Sequence, residues 1–443
     1  VDAALAGDSV TVYAGTYVEN VSVDKDHLTI QSVSGAVSTI VHAADASLPG
    51  FEVPAEYVLI HGFTVRNNTT ACNIAFGGIT VGGDHATISD NTVTGNCKGV
   101  VLHASHITIA GNTISDNQAY VASDGLYIWP DCADITITDN DISNNADEGI
   151  QEELGGQDIV IARNVISNNG GTGVYLGNSG QDILLEQNTI SGNGGAGIYQ
   201  QYGGRNIGIA GNDILDNGED GIYLGTRASD LPNDYWEAVL YWHDFGIENN
   251  TIRGNDWNGI DLGTLLRHSW FISNTISENE QNGIRFGGES VTYYESGHPI
   301  GTVASEFNQI EQNNIQDNTE CGIFCIASAT NWIGTNNLIG NGDNACSPVS
   351  ANLWRSKKVI AYTYNGNEFE DHLGNYWDDY EQVVGHQPED LDLNGIADAP
   401  YPMDEDTSEL DHHPLMAHFA SYFPGPPAAA SRTSLPIVLR HWP

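Results

Sequence analysis

Residues 181–204 read QDILLEQNTISGNGGAGIYQQYGG. Ile183, Leu185, Ile190 and Ile198 fall in short alternating runs between Asn- and Gly-rich corners. This is the period of two of β-strands, and no stretch is long enough for an amphipathic helix. The phrase Asn-x-Ile-x-x-Asn, with minor variants, recurs with its first Asn at Asn91, Asn112, Asn140, Asn164, Asn188, Asn212, Asn250, Asn274, Asn313 and Asn336. A second Asn follows five residues later each time, from Asn96 to Asn341, and Gly-Ile-x-Leu closes the unit. Successive units are 21, 28, 24, 24, 24, 38, 24, 39 and 23 residues apart. A 24-residue period with insertions means a solenoid, in which each repeat buries its apolar face against its neighbours. Three short strands per unit and no helix exclude a leucine-rich repeat. They predict an all-β fold, a right-handed single-stranded parallel β-helix with coils stacked about 4.8 Å apart. Ile and Val fill its interior. Asn is expected at the corners because it tolerates left-handed backbone and its amide can bond from coil to coil.

These coils resemble the parallel β-helix repeats of the NosD-like family of periplasmic and surface proteins. So do the opening Gly7–Tyr17, the closing Gly374-Asn375-Tyr376-Trp377-Asp378-Asp379-Tyr380 and the tail from Asp392 through Asp411-His412-His413-Pro414. The resemblance covers roughly residues 1–416 and implies the fold, while such repeats serve enzymes, binders and surface structures alike. The chain is read as an N-terminal cap and first coils (1–60), repeats (61–365), an acidic C-terminal cap (366–416), and a Pro-rich linker with an apolar tail (417–443).

The formal charge of −44 repels nucleic acid and anionic membranes and suits bound cations. No stretch reads as a membrane span or a signal peptide; Val1 falls within what reads as a segment preceding the first strand, so the chain is expected to be a processed or incomplete form. Cys72 with Cys97, and Cys321 with Cys346, occupy equivalent corners one coil apart, which predicts two disulfides. Cys325 aligns with inward leucines, and Cys132 is left over. Disulfides imply an extracytoplasmic, cell-surface or secreted setting. Asn20, Asn67, Asn68 and Asn249 head glycosylation sequons.

Three insertions, near 129–132, 226–243 and 287–305, follow the Gly-Ile-x-Leu strand and so share one edge. The last two carry Tyr235, Trp236, Tyr241, Trp242, Tyr293 and Tyr294. Beside them the outward column of that strand reads Tyr127, Gln151, Tyr175, Tyr199, Tyr223, Asp261 and Arg285. Aromatic faces next to carboxylates suit sugar rings. Glycoside chemistry needs two carboxyls across one bond; the candidates are Asp147, Glu148, Glu153 and, foremost, Glu152, Asp220 and Asp261. Glu152 aligns with inward apolar residues, which would raise its pKa. The alternative is a tyrosine ladder that simply stacks or meets another subunit. The arginine pattern of pectate lyases, the Gly-His-Gly of polygalacturonases and the Asp-Pro-His of alginate epimerases are all lacking.

Six residues before the first Asn runs His85, His106, Asp134, Asp158, Asp182, Asn206, Asp244 and His268, expected to cap turns through side-chain bonds to the backbone. Asp390, Asp392, Asn394, Ile396 and Asp398 match the first positions of a calcium loop, with Gly395 at the turn, although Tyr401 stands where the bidentate Glu belongs. A structural Ca2+ there would lock the cap. Behind the linker, Leu435, Ile437, Val438 and Leu439 form a β-prone tail suited to strand addition onto another copy. The sequence therefore favours a surface β-helix that assembles head-to-tail, with glycan contact; the contrasting reading is a polysaccharide lyase, hydrolase or epimerase.

Overall fold

The computed structural model describes residues 1–423 except 71, 73, 74, 120, 121, 202, 226–241, 264, 265, 288–290, 296, 297, 304, 327, 349 and 404–408, and without the side chains of 242, 243, 291–295 and 298–303. The chain winds into a right-handed parallel β-helix with three faces. The first sheet has 14 strands, from Ser9–Val12 to Ala351–Leu353; the second has 14, from Gly15–Val18 to Tyr376–Trp377; the third has 13, from Val21–Ser22 to Asp343–Cys346. Pairing is parallel and in register, so each sequence column becomes a ladder. Ile161 lies against Leu185 and Leu185 against Ile209, and all three are fully buried.

Two asparagine columns run through the corners on either side of the second sheet. Asn188 is 1% exposed. Its backbone N–H and its Nδ2 both donate to Asn212 Oδ1 at 2.9 Å, and Nδ2 also donates to Ile161 O at 2.8 Å. The same bonds recur from Asn91 to Asn375 and from Asn96 to Asn341. The amides thus satisfy corner backbone groups that no strand pairing reaches, in an interior where an unpaired group costs about 1–3 kcal/mol.

Left-handed backbone is not carried by these asparagines. In the coil 181–204 it falls on Asp182 (φ 55°), Gln187 (φ 55°), Gly192 (φ 63°) and, at the end of the coil, Gly203 (φ 57°); Gln187 and Gly192 directly precede Asn188 and Asn193. The ladder residue must turn its side chain inward, so the tight turn is displaced one residue upstream, onto exposed polar residues. The column His85, His106, Asp134, Asp158, Asp182, Asn206, Asp244 and His268 is wholly left-handed too. Its histidines stack rather than cap: His85 and His106 lie ring on ring at 4.5 Å and 7°. Glycine before the Ile of each Gly-Ile has a different cause. A Cβ on Gly173 would sit 2.5 Å from Ile190 Cγ2 and 2.6 Å from Gly197 O.

Both predicted disulfides are present, Cys72–Cys97 (Cα–Cα 5.4 Å) and Cys321–Cys346 (6.0 Å), each stapling adjacent coils. Cys325 is a buried core thiol as expected, and Cys132, at the end of the loop that precedes the strand Ala133–Thr138, is buried in the core as well. The insertion near 287–305 contains an antiparallel hairpin, Val291–Glu295 with His298–Val303. Beyond the last coils the chain adds the hairpin Ile360–Tyr364/Asn367–Asp371, the helix Tyr380–Val384, the pair Tyr401–Pro402/Leu410–Asp411 and the 3-10 turn Phe419–Tyr422. Trp377 stacks on Tyr401 at 4.1 Å and 3°, joining this cap to the end of the second sheet.

Candidate functional site

The outer face of the third sheet holds most of the candidates. Its strand column runs in register from Val101 through Tyr127, Gln151, Tyr175, Tyr199, Tyr223 and Asp261 to Arg285. Tyr175 and Tyr199 stack at 5.5 Å and 6°, Tyr199 and Tyr223 at 4.8 Å and 8°. Rings parallel at the coil spacing cover one another's faces, so this ladder presents edges and hydroxyls rather than open platforms for a sugar ring. Tyr223 is 3% exposed. Tyr235, Trp236 and Tyr241 lie outside the described residues, as do the side chains of Trp242, Tyr293 and Tyr294.

Glu152, Asp220 and Asp261 occupy three different environments. Glu152 points into the coil in register with Ile128 and Leu176, accepts from Gly156 N at 2.9 Å and Gly177 N at 3.0 Å, and is pushed up to about 7 by burial against these bonds. It is separated by the sheet from the outer face. Asp220 lies at a corner, where Asn258 N and Nδ2 both donate to its Oδ1 at 3.0 and 2.8 Å. Burial, with the charge of Asp261, pushes its carboxyl up to about 7. Asp261 is gripped by Arg285, whose Nη1 reaches both oxygens at 3.1 and 2.9 Å. Asp220 and Asp261 are brought together; Glu152 is not.

A second cluster, on the same face, is denser. The residue before each Gly-Ile forms a column reading Lys98, Asp124, Glu148, Thr172, Ala196, Asp220, Asn258 and Asn282. Asp124 is fully buried and Lys98 5% exposed; the Lys98 ammonium bonds Asp124 Oδ2, donates to Ala122 O at 2.9 Å and lies 4.7 Å from the Tyr127 ring centre. Tyr127 OH donates to Glu153 Oε2 at 2.8 Å, and Gln151 Nε2 donates to the same oxygen at 3.1 Å. Burial, then the charges of Asp124 and Asp147, pushes Glu148 up to about 9. Lys98 and Asp124 escaped sequence reasoning, and Glu148 was a secondary candidate. Aligning the residue before Gly-Ile, instead of the outward strand residue, would have exposed all three.

The loop at 390–398 closes on itself. Asp390 accepts from Asn394 N and Gly395 N at 3.0 and 2.8 Å, Asn394 Oδ1 from Ile396 N at 2.7 Å, and Asp398 Oδ2 from Leu391 N at 2.9 Å. Its carboxylates are not among the described groups whose oxygens converge within 4.8 Å. As arranged they shape the turn. Of the sequon residues, Asn249 is exposed, whereas Asn68 is 2% exposed with its amide donating to Leu48 O; no sugar can be accepted there in the folded chain. Asn20 is committed to Asp45, Leu48 and Pro49, and Asn67 Nδ2 donates to Ala43 O at 2.8 Å. Leu435, Ile437, Val438 and Leu439 lie outside the described residues.

Stacked coils, a continuous Ile core and paired amide ladders define a parallel β-solenoid. The chain belongs to the right-handed β-helix family, whose model matches residues 10–157 and 124–294, and residues 237–382 match the model of the periplasmic copper-binding protein NosD. Among solved structures it is similar to the A-modules of two Azotobacter vinelandii mannuronan C-5 epimerases. For AlgE6 the identity is 16% and the TM-score 0.52; for AlgE4 they are 18% and 0.50. In both cases 78% of this chain and 89% of the other is covered, a likeness of fold. No curated protein matches the chain. The donor groups that converge among the described residues do not fit copper. Copper sites take imidazole, thiolate or thioether donors. The donor groups that converge among the described residues are the Asp124–Asp147–Glu148 carboxylates and a set whose two sulfurs form the Cys321–Cys346 disulfide.

Proposed function

We propose that this protein is an extracytoplasmic polysaccharide-binding β-helix that receives its ligand along the outer face of the third sheet. The observation that carries this reading is the buried Lys98–Asp124 pair, continued by Glu148, Tyr127 and Glu153. The same column carries Thr172 and Ala196 in the two coils after Glu148, so the fold itself does not require charge there. Desolvated ion pairs rarely stabilise a fold more than apolar residues would, and ionisable groups gathered on one face mark functional surfaces. A linear polymer laid along the solenoid axis meets such a column once per coil, the extended surface that solenoids offer. With −44 formal charges, the chain is matched to neutral rather than polyanionic glycans. Two disulfides and the similarity to a periplasmic family support the compartment.

The test is co-sedimentation of the purified chain with insoluble neutral and acidic polysaccharides, with the polymer's length and composition measured before and after. Retention on a neutral polymer, weakened by changes at Lys98 or Tyr127, is expected. Shortened or epimerised polymer would replace the binding reading with the enzymatic one, and no retention on any polymer would leave the face without a ligand.

A further inference from the structure

We propose that the outer face of the first sheet, from Gly208 to Lys357, is a second binding site, for a largely neutral glycan that carries isolated carboxylates. It lies on a different sheet from Lys98 and Tyr127 and stands whether or not their face binds. The outward column here runs in register through Leu184, Gly208, Gly246, Trp270, Gln309 and Trp332. The Trp270 indole packs onto Gly246, where a Cβ would meet its Cζ2, Cε2 and Nε1 at 2.7–2.8 Å. Its Nε1 donates to Glu248 Oε1, so bed and bond together hold the ring against the sheet. Trp270 is half-buried, and among the described residues no ring or cation stacks on it. The rings of the tyrosine ladder cover one another; this indole keeps a face for a sugar ring.

Two further observations point to a ligand. Gly208 is not left-handed, and among the described residues a Cβ there would meet only a Leu184 methyl, at 3.1 Å. Neither backbone nor packing calls for glycine, and a glycine inside a strand marks the close approach of a ligand or another backbone. The second observation is charge. Lys357 and Lys358 are two of the chain's four lysines, and both are exposed. Lys357 Nζ lies 4.4 Å from the Trp332 ring centre. Glu311 takes the Lys357 backbone N–H at 3.1 Å rather than its ammonium, and neither lysine forms an ion pair within 4.0 Å among the described residues. Unpaired ammonium groups give this end of the face a local preference for a carboxylate, while the formal charge of −44 still opposes a polyanion. Trp270 and Trp332 are two strand spacings apart, about 9.6 Å, the reach of a disaccharide. Gln309 between them offers its amide to sugar hydroxyls. The glycan therefore lies along the solenoid axis, over Gly208 and Trp270, with a carboxylate at Lys357 and Lys358.

The experiment screens the full-length protein on an array of neutral, uronate-bearing and polyuronate oligosaccharides, then titrates the tightest binder. A glycan with isolated uronates is expected to bind above its neutral counterpart and above polyuronate. Gly208→Val fills the floor with a residue suited to strands, so binding weakens at least about tenfold while the melting temperature holds or rises. Lys357→Gln with Lys358→Gln, at exposed positions, removes the preference for the carboxylated glycan and leaves stability unchanged. Trp270→Ala weakens binding roughly three- to tenfold; should it fail to fold, the other variants carry the test. Binding that ignores Gly208→Val and the lysine changes but is lost in Tyr127→Phe belongs to the third sheet and overturns the proposal. So does an array on which nothing binds.

Discussion

Asn375 N donates to Asp411 Oδ2 at 2.7 Å, and the Asn375 amide reaches the same oxygen at 3.5 Å. The pattern is the one that links every Asn to the next coil's Asn, with a carboxylate in place of the next amide. The other amide ladders end likewise. Asn344 Nδ2 and Gly340 N donate to Asp378 at 2.8 and 2.9 Å, closing the ladder that runs through Asn341. Asn352 N donates to Glu409 Oε1, closing Asn308 and Asn331. Asn282 and Asn258 run the other way and close on Asp220. Each ladder points its N–H groups in one direction, so its donor end needs a group that only accepts. An ionised carboxylate is that group, and charge strengthens the bond. This gives Asp220 a structural role that does not need catalysis, and explains why the Asn375–Asp379 segment and Asp411 matter to the cap.

Within a ladder, Asn188→Ala leaves the Asn164 N–H and Nδ2 without their acceptor. A loss of about 1–3 kcal/mol per buried donor is expected. Asn168→Gly, at an exposed left-handed position with φ 54°, should cost only a few tenths of a kcal/mol or nothing. Calorimetric unfolding of the two variants checks this, and equal losses would mean that the corner conformation, not the amide ladder, holds the coils.

Asp411 predicts an inverted pH dependence. Burial pushes its carboxyl up to about 7 against the bonds from Asn375, His413 and Trp377, whereas an unfolded Asp titrates near 3.9. Between those values the native state holds more protons than the unfolded state. Its contribution therefore rises as pH falls through about 7 and levels off near 4. Melting curves of wild type and Asp411→Asn, recorded across that range, should diverge in wild type's favour on acidification. A constant gap would contradict the assignment. Asp220 and Glu152, both pushed up to about 7, act in the same direction.

Cys132 and Cys325 are buried, and the other four cysteines are bonded. A thiol reagent should label no site in the native protein and two per chain after denaturation without reductant. Replacing Cys321 and Cys346 by Ser should cost about 2–4 kcal/mol, the usual effect of a bridge closing a loop of this size, seen as a lower denaturant midpoint. Labelling of four or more thiols in the unreduced, denatured chain would contradict the bridges.

What was legible in the sequence follows from periodicity. Asn188 and Asn212, or Ile161 and Leu185, repeat at the coil spacing, so their register could be read off directly. The same periodicity misplaced the left-handed residues by one, because Gln187 and Asn188 recur together and only the inward amide separates their roles. The ladder ends were not legible: Asp378, Glu409 and Asp411 reach their partners from a cap that does not repeat. The Lys98–Asp124–Glu148 column was hidden for the opposite reason. It sits within the repeat, but three different residue types share it, and its meaning appears only when stacking puts the ammonium against the carboxylate.

That ammonium and carboxylate offer the sharpest separation of function from stability. Lys98→Met leaves Asp124 buried and uncompensated, so a loss of about 3–5 kcal/mol at neutral pH is expected. Adding Asp124→Leu removes the stranded charge and should recover most of that loss, since apolar residues replace a buried ion pair at little cost. If the pair exists for the fold, the double variant will be as unstable as the single one. If it exists for a ligand, the double variant will be stable and yet fail to bind the polymer that wild type retains. Chemical denaturation and co-sedimentation on the same three proteins decide between them.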